Sequence, residues 1–277
     1  MQRSRKTGRK WVVGSGQWVV GSPQSAVRSY QLALFLLPLI VVLFGSFNTI
    51  PFNTTKTGSV KIVFKNTVAG IPLMLDSAKY KNIFGEPFTV TKFKYYISNV
   101  SLENKTDKQA EKESYHLTDA RDSISMSFSY PVTAGKYNDL AFLLGVDSIR
   151  NCSGAQTGAL DPMNDMFWTW NSGYVMAKLE AGSDSSKSMR RLEYHIGGYK
   201  ASENVVQQIR LHASTPIIIT EGKETIIVVE TDLSKWWQTI DKITIAENPI
   251  CTTPGSLAKR IAANYSNMFS IQSVSNN

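Results

Sequence analysis

Three kinds of residue in this chain could do chemistry beyond packing: three histidines, two cysteines and two closely spaced tryptophans. His195 lies in RLEYHIGGY, Cys152 in SIRNCSGAQTGALDP, Cys251 in NPICTTP, and Trp168 and Trp170 in MFWTWNSGY. Imidazole and thiolate are ligands for transition metals. If the MFWTWN stretch is one strand, Met166, Trp168 and Trp170 share one face, and Phe167, Thr169 and Asn171 share the other. Both indoles could then simply fill a core; the alternative is a functional Trp beside a metal. His195 shares a strand face with Glu193, opposite Leu192, Tyr194 and Ile196. A strand histidine is ordinarily a hydrogen-bonded spectator. Here Gly197-Gly198 follows directly, and glycine lets another group approach the backbone closely. His116 in YHLTD and His212 in RLHAS have no such context.

No recognisable catalytic motif accompanies these residues. The chain has no G-x-S-x-G elbow, P-loop, G-x-G-x-x-G after a strand, H-E-x-x-H or C-x-x-C. A non-catalytic protein is expected. A hydrolase would require a His–carboxylate–nucleophile cluster in a cleft.

The elements that must position these residues read mainly as strands. VKIVFKN (60–66) alternates, and FTVTKFKYYISNVSL (88–102) is rich in aromatic and β-branched residues. Further strands are expected at 123–129, 137–146, 166–179, 190–196, 204–213 and 224–231, with turn residues at Ala69-Gly70, Gly85-Glu86-Pro87, Ala134-Gly135, Gly182-Ser183-Asp184, Gly197-Gly198 and Glu221-Gly222. ENKTDKQAEKES (103–114) reads as a solvated loop. Pro254 and Ser256 open one helix, in which Leu257, Ile261, Tyr265 and Met268 recur on one face. The fold class is therefore all-β: an antiparallel β-sandwich with long loops and one short C-terminal helix. A single body is expected over 58–277.

Charge separates that body from what precedes it. The net charge is +8, but residues 1–75 hold nine Lys/Arg and no acid, leaving 21 basic and 22 acidic residues beyond them. A near-neutral body has no clustered basic footprint for nucleic acid. Residues 32–44, LALFLLPLIVVLF, are a thirteen-residue apolar run behind Arg28. That is short for a bilayer span and suits a signal peptide; Pro38 and the lack of a polar face argue against a core helix. Residues 1–46 are read as a basic leader, a signal peptide or N-terminal anchor, and 47–57 as a linker. Membrane contact is expected only through this segment, with the mature protein periplasmic or extracellular.

SIRNCSGAQTGALDP, MFWTWNSGY, YHIGG, TKFKYYISNVSL, the FLLGVD segment and the tail NYSNMFSI together resemble the MbnP-like family, exported copper-binding proteins associated with methanobactin, in its Bacteroidota-type branch. The resemblance runs from about residue 60 to 270. It implies copper held by histidine imidazoles and a Trp oxidised to kynurenine by a di-haem peroxidase-like partner. Opening the indole turns a poor ligand into one with an aniline nitrogen and a ketone oxygen, and nitrogen donors suit copper. Carried over by motif, Trp168 and Trp170 are the candidates for modification, and His195 takes a ligand position. The family's G-V-P-x-x-x-N-H stretch reads here Gly145-Val146-Asp147-Ser148-Ile149-Arg150-Asn151-Cys152, so a cysteine stands where a histidine is expected. Cys152 is then either a soft thiolate ligand for Cu(I) or the disulfide partner of Cys251. In an exported chain the disulfide is the expected state. The rival to copper binding is an extracellular structural or protein-interaction domain that has lost the metal.

Overall fold

The computed structural model describes residues 55–276 apart from Ala155 and Trp170–Ser172. The leader at 1–46, most of the linker, and Trp170 and Asn171 lie outside the described residues. Strands β1 (Thr57–Val68), β2 (Ile71–Pro72), β3 (Tyr80–Lys81), β4 (Pro87–Glu103), β5 (Lys108–Ala110), β6 (Tyr115–Asp119), β7 (Ser127–Thr133) and β8 (Gly135–Leu144) come first. A long segment with the one-turn helix α1 (Ser148–Asn151) follows. Then come β9 (Phe167–Thr169), β10 (Gly173–Gly182), β11 (Arg191–Gly197), β12 (Gln207–Ile219), β13 (Glu224–Asp232), β14 (Ile250–Cys251), helix α2 (Ser256–Tyr265) and β15 (Phe269–Ser275).

Alternation drives the pairing. Val60, Ile62 and Phe64 of β1 and Ile227 and Val229 of β13 turn one face of the smaller sheet inward. That sheet runs β15-β13-β1-β2, with β7 on β1. The larger sheet runs β12-β8-β4-β10-β11-β14, with β3, β5 and β6 on β4 and β9 on β10. Phe64 meets Tyr95 of β4 and Phe142 of β8 edge-on across the core, at 6.0 and 6.3 Å. The expected sandwich and C-terminal helix are present, but the sheets are mixed. β1 pairs β13 in parallel, and β11 pairs β14 in parallel. A parallel pair needs a long crossover, and the chain from β2 to β12 supplies one for β1 and β13.

Several boundaries differ from the sequence reading. The strand expected at 123–129 is Ser127–Thr133, because Asp122 and Ser125 instead bond neighbouring backbone and make a turn. The loop at 103–114 includes the short β5. β6 and β15 had no period long enough to register. The stretch 166–179 is two antiparallel strands, β9 and β10, so its expected single-strand alternation does not hold.

The long strand β4 is one piece, re-phased by register shifts near Val90–Lys92 and at Ser98–Ser101, where Asn99 has φ 52°. Between Tyr95 and Ser98 every residue is buried, so both faces of the sheet are covered there. The smaller sheet covers one. The other is covered by residues of the 145–169 segment, whose Gly145 and Ala159 oxygens accept from Ser98 and Tyr96.

A polar knot fixes the opposite end. Asn264 of α2 is fully buried. Its Oδ1 accepts from the amides of Thr239, Ile240 and Asp241 at 3.2, 2.9 and 2.8 Å, and its Nδ2 donates to Trp236 O and Asp241 O at 3.2 and 2.7 Å. This ties down the loop after Trp236 and Trp237, both fully buried in the core. Asn264→Ala strands five backbone groups, and we expect a loss of about 3 kcal/mol or more, measured by chemical denaturation. A change below about 1 kcal/mol would show that water replaces the side chain.

Candidate functional site

The segment 145–169 is anchored on the outer face of the larger sheet by side chains that reach its backbone. Asp147 caps α1 by accepting from Arg150 N, and Asn151, 2% exposed, is its hub. Asn151 Nδ2 donates to Val146 O and Asp147 O at 2.6 and 2.9 Å, while Oδ1 accepts from Tyr174 N at 2.9 Å. Tyr96 and Tyr174 donate their hydroxyls to Ala159 O and Leu160 O at 3.0 and 2.7 Å. Next to these tyrosines the face becomes charged. Lys94 of β4, Lys178 of β10 and His195 of β11 form one lateral row, and Lys92, Glu180 and Glu193 form the next.

His195 stands in this field with its side chain 19% exposed. Its Nε2 lies 3.0 Å from Glu180 Oε1. With the carboxylate ionised, Nε2–H donates and the lone pair resides on Nδ1. Burial, and then the Lys178 ammonium, hold the imidazole below its usual pKa of 6.5, while Glu180 pulls the other way. The ring is thus neutral at neutral pH. Lys178 is almost fully buried and ion-pairs with Asp165 Oδ2 at 3.0 Å. Lys92 bridges Asp165 and Glu180 at 2.9 and 3.3 Å.

Trp168 reaches the same face. A Cβ added to Gly197 would lie 2.6 Å from Trp168 Cζ3 and 2.9 Å from Cη2. The indole edge therefore rests on the bare backbone of β11. Ile196 points into the core, so alternation sets Gly197 on the side of His195, two residues or roughly 7 Å along the strand. Trp168 is partly buried and packs against the rim of the core, which contradicts a core-filling role for it. Among the described residues the fully buried indoles are Trp236 and Trp237, for which the sequence suggested no role. Their signal was present in DLSKWW, where Asp232 caps a short 3-10 turn.

Cys152 does not join this pair. It is exposed at the C-cap of α1, near Tyr199, two residues beyond Gly197. The Tyr199 ring lies over Gly173, where a Cβ would be 2.9 Å from it. The expected Cys152–Cys251 disulfide is not formed: both thiols are free. Cys251 is buried in β14 opposite Tyr194, and burial pushes its thiol up to about 11. Each thiol is held in a separate environment, so no strain draws them together. The other histidines are engaged elsewhere. His116 Nε2 is 2.8 Å from Glu111 and its ring stacks on Phe128, and His212 Nδ1 is 2.8 Å from Asp139. Among the described residues no three His, Cys, Asp or Glu side chains group to hold a metal.

Residues 57–253 match the family model described as MbnP. The chain belongs to the MbnP family. That family is linked to copper through methanobactin. No curated protein sequence matches the chain. Among solved structures it is similar to MbnP from Methylosinus trichosporium, at 15% identity over 71% of this chain and 83% of that one, with a TM-score of 0.44. In this MbnP-family chain two of the candidate residues legible from motif, His195 and Trp168, come to one face of β11, and Cys152 lies apart at the C-cap of α1.

The contact at Gly197 has a direct test. A methyl there meets Tyr174 O at 2.8 Å as well as the indole. Since a backbone oxygen yields poorly, Gly197→Ala should displace Trp168 and cost about 1–3 kcal/mol, read by denaturation and by a changed Trp168 emission, isolated by subtracting Trp168→Phe.

Proposed function

We propose that this is an extracytoplasmic, non-catalytic copper-binding protein whose metal is held by His195 and an oxidised Trp168. One observation carries the reading: the Trp168 indole edge rests on Gly197, on the face and strand of a neutral histidine whose Nε2 is fixed by Glu180. A carboxylate on one ring nitrogen, leaving the other free to bind, is the usual arrangement of a metal-binding histidine. Because His195 is already neutral, binding at Nδ1 displaces no proton. Lys178 does not leave an unmatched cation beside it, since Asp165 neutralises it.

The unmodified donors do not close a copper site. They fit one once the indole is opened, because that adds an aniline nitrogen and a ketone oxygen beside the imidazole. A di-haem peroxidase-like partner is the proposed oxidant, and the apolar run at 32–44 is the proposed export signal or anchor. Copper is cargo in this reading. A second reading, an interaction domain that has lost its metal, is favoured by one observation: Cys152 replaces an expected imidazole and faces Tyr199.

Co-expression with the genomic partner separates the two. Peptide mapping should find the Trp168 peptide with one carbon lost and one oxygen gained. Copper affinity should then fall by at least roughly ten-fold in His195→Ala, and by about 10–100-fold in Glu180→Gln. An unmodified Trp168 with copper binding indifferent to His195 would leave the interaction-domain reading.

A further inference from the structure

The oxidisable indole sits on β9, a three-residue strand paired with β10 and entered from the turn at Pro162–Asn164. Met166 anchors the start of that strand in the core, its backbone oxygen accepting from Val175 N at 2.8 Å. Just before it, two residues add a polar grip. Asn164 O accepts from Lys94 Nζ at 3.3 Å. Asp165 does more. Its Oδ2 takes Lys92 at 2.9 Å and Lys178 at 3.0 Å, and its backbone oxygen accepts from Lys178 Nζ. Asp165 also adopts a left-handed backbone, φ 61°, which turns the chain out of the 3-10 turn at Pro162–Asn164 and into β9. Aspartate and asparagine tolerate that conformation better than most residues.

We infer that Asp165 is the positioning residue for Trp168: its carboxylate clamps the loop to Lys92 and Lys178 and so seats the indole on Gly197 three residues later. The charges balance this way. Burial works to raise the Asp165 carboxyl, but the two lysines outweigh it and hold it below its usual value. Lys178 is the buried member, its side chain 4% exposed, so losing its counter-charge would leave a buried cation unpaired. The loop and the buried lysine therefore stabilise each other. Lys92 continues the chain to Glu180 and from there to His195. The clamp thus links the turn that leads into β9 and Trp168 to the group that orients His195. Its value for oxidation rests on the proposed function; the placement itself does not.

Asp165→Asn is the informative variant, because it keeps the left-handed backbone and the backbone bond to Lys178 and removes only the charge. In the unmodified full-length protein, the emission of Trp168 is isolated by subtracting the Trp168→Phe background. Its acrylamide quenching constant should rise roughly two-fold or more in Asp165→Asn as local opening becomes populated. Lys178→Met should behave likewise, and Asp165→Glu should restore most of the protection. Thermal unfolding of each variant shows whether the body remains folded. If Trp168 quenching in folded Asp165→Asn matches wild type, the clamp is wrong, whatever copper does. If quenching rises as expected yet co-expressed wild-type protein keeps an intact Trp168, the clamp stands and the copper reading falls.

Discussion

The site depends on a missing methyl group. Trp168 meets the sheet where Gly197 offers no Cβ, at a contact distance that any other residue would occupy with its own side chain. A few positions away Gly173 makes the same concession to Tyr199. Two aromatic rings thereby rest against the ends of β10 and β11. Ordinary side chains at these glycines would push both rings away.

The covering segment must stay down for this to work. Val146, Leu160 and Met166 plant it in the core, and polar contacts fix its path: Asn151, Tyr96 and Tyr174 bond its backbone, and the Lys92–Asp165–Lys178 group holds its far end. Such a network around a buried cation, here Lys178, stabilises only when that cation is matched, although Asp165 itself stays largely exposed. Here each lysine finds a carboxylate, and the histidine, held neutral, adds no further positive charge. The hydrophobic sandwich beneath supplies the rigidity. The polar outer layer supplies the geometry.

Much of the fold was legible in the residues. The alternation of VKIVFKN and the aromatic run of FTVTKFKYYISNVSL identified β1 and β4, and Leu257, Ile261 and Tyr265 marked α2. The parallel pairing of β1 with β13 was not legible, because no local pattern records which distant strand a strand will meet. The split of 166–179 between β9 and β10 was legible in principle, since Asn171-Ser172-Gly173 are turn-type residues, but the aromatic and β-branched residues on either side read as one strand. His195 and the two glycines after it could be found by type and spacing. Glu180, Lys178 and Asp165 could not, since cross-strand register alone brings them together. The two cysteines misled for a plain reason. An even count in an exported chain suggests a bond, yet one thiol ends up exposed by Tyr199 and the other buried by Tyr194.

The central claim is that one imidazole, His195, meets copper here, with the remaining nitrogen coming from the opened Trp168 ring. Pulsed electron paramagnetic resonance on copper-loaded protein from the co-expressing cells tests it most directly. The account predicts modulation from the remote nitrogen of a single histidine, abolished in His195→Ala. Two coupled imidazoles, or none, would contradict it.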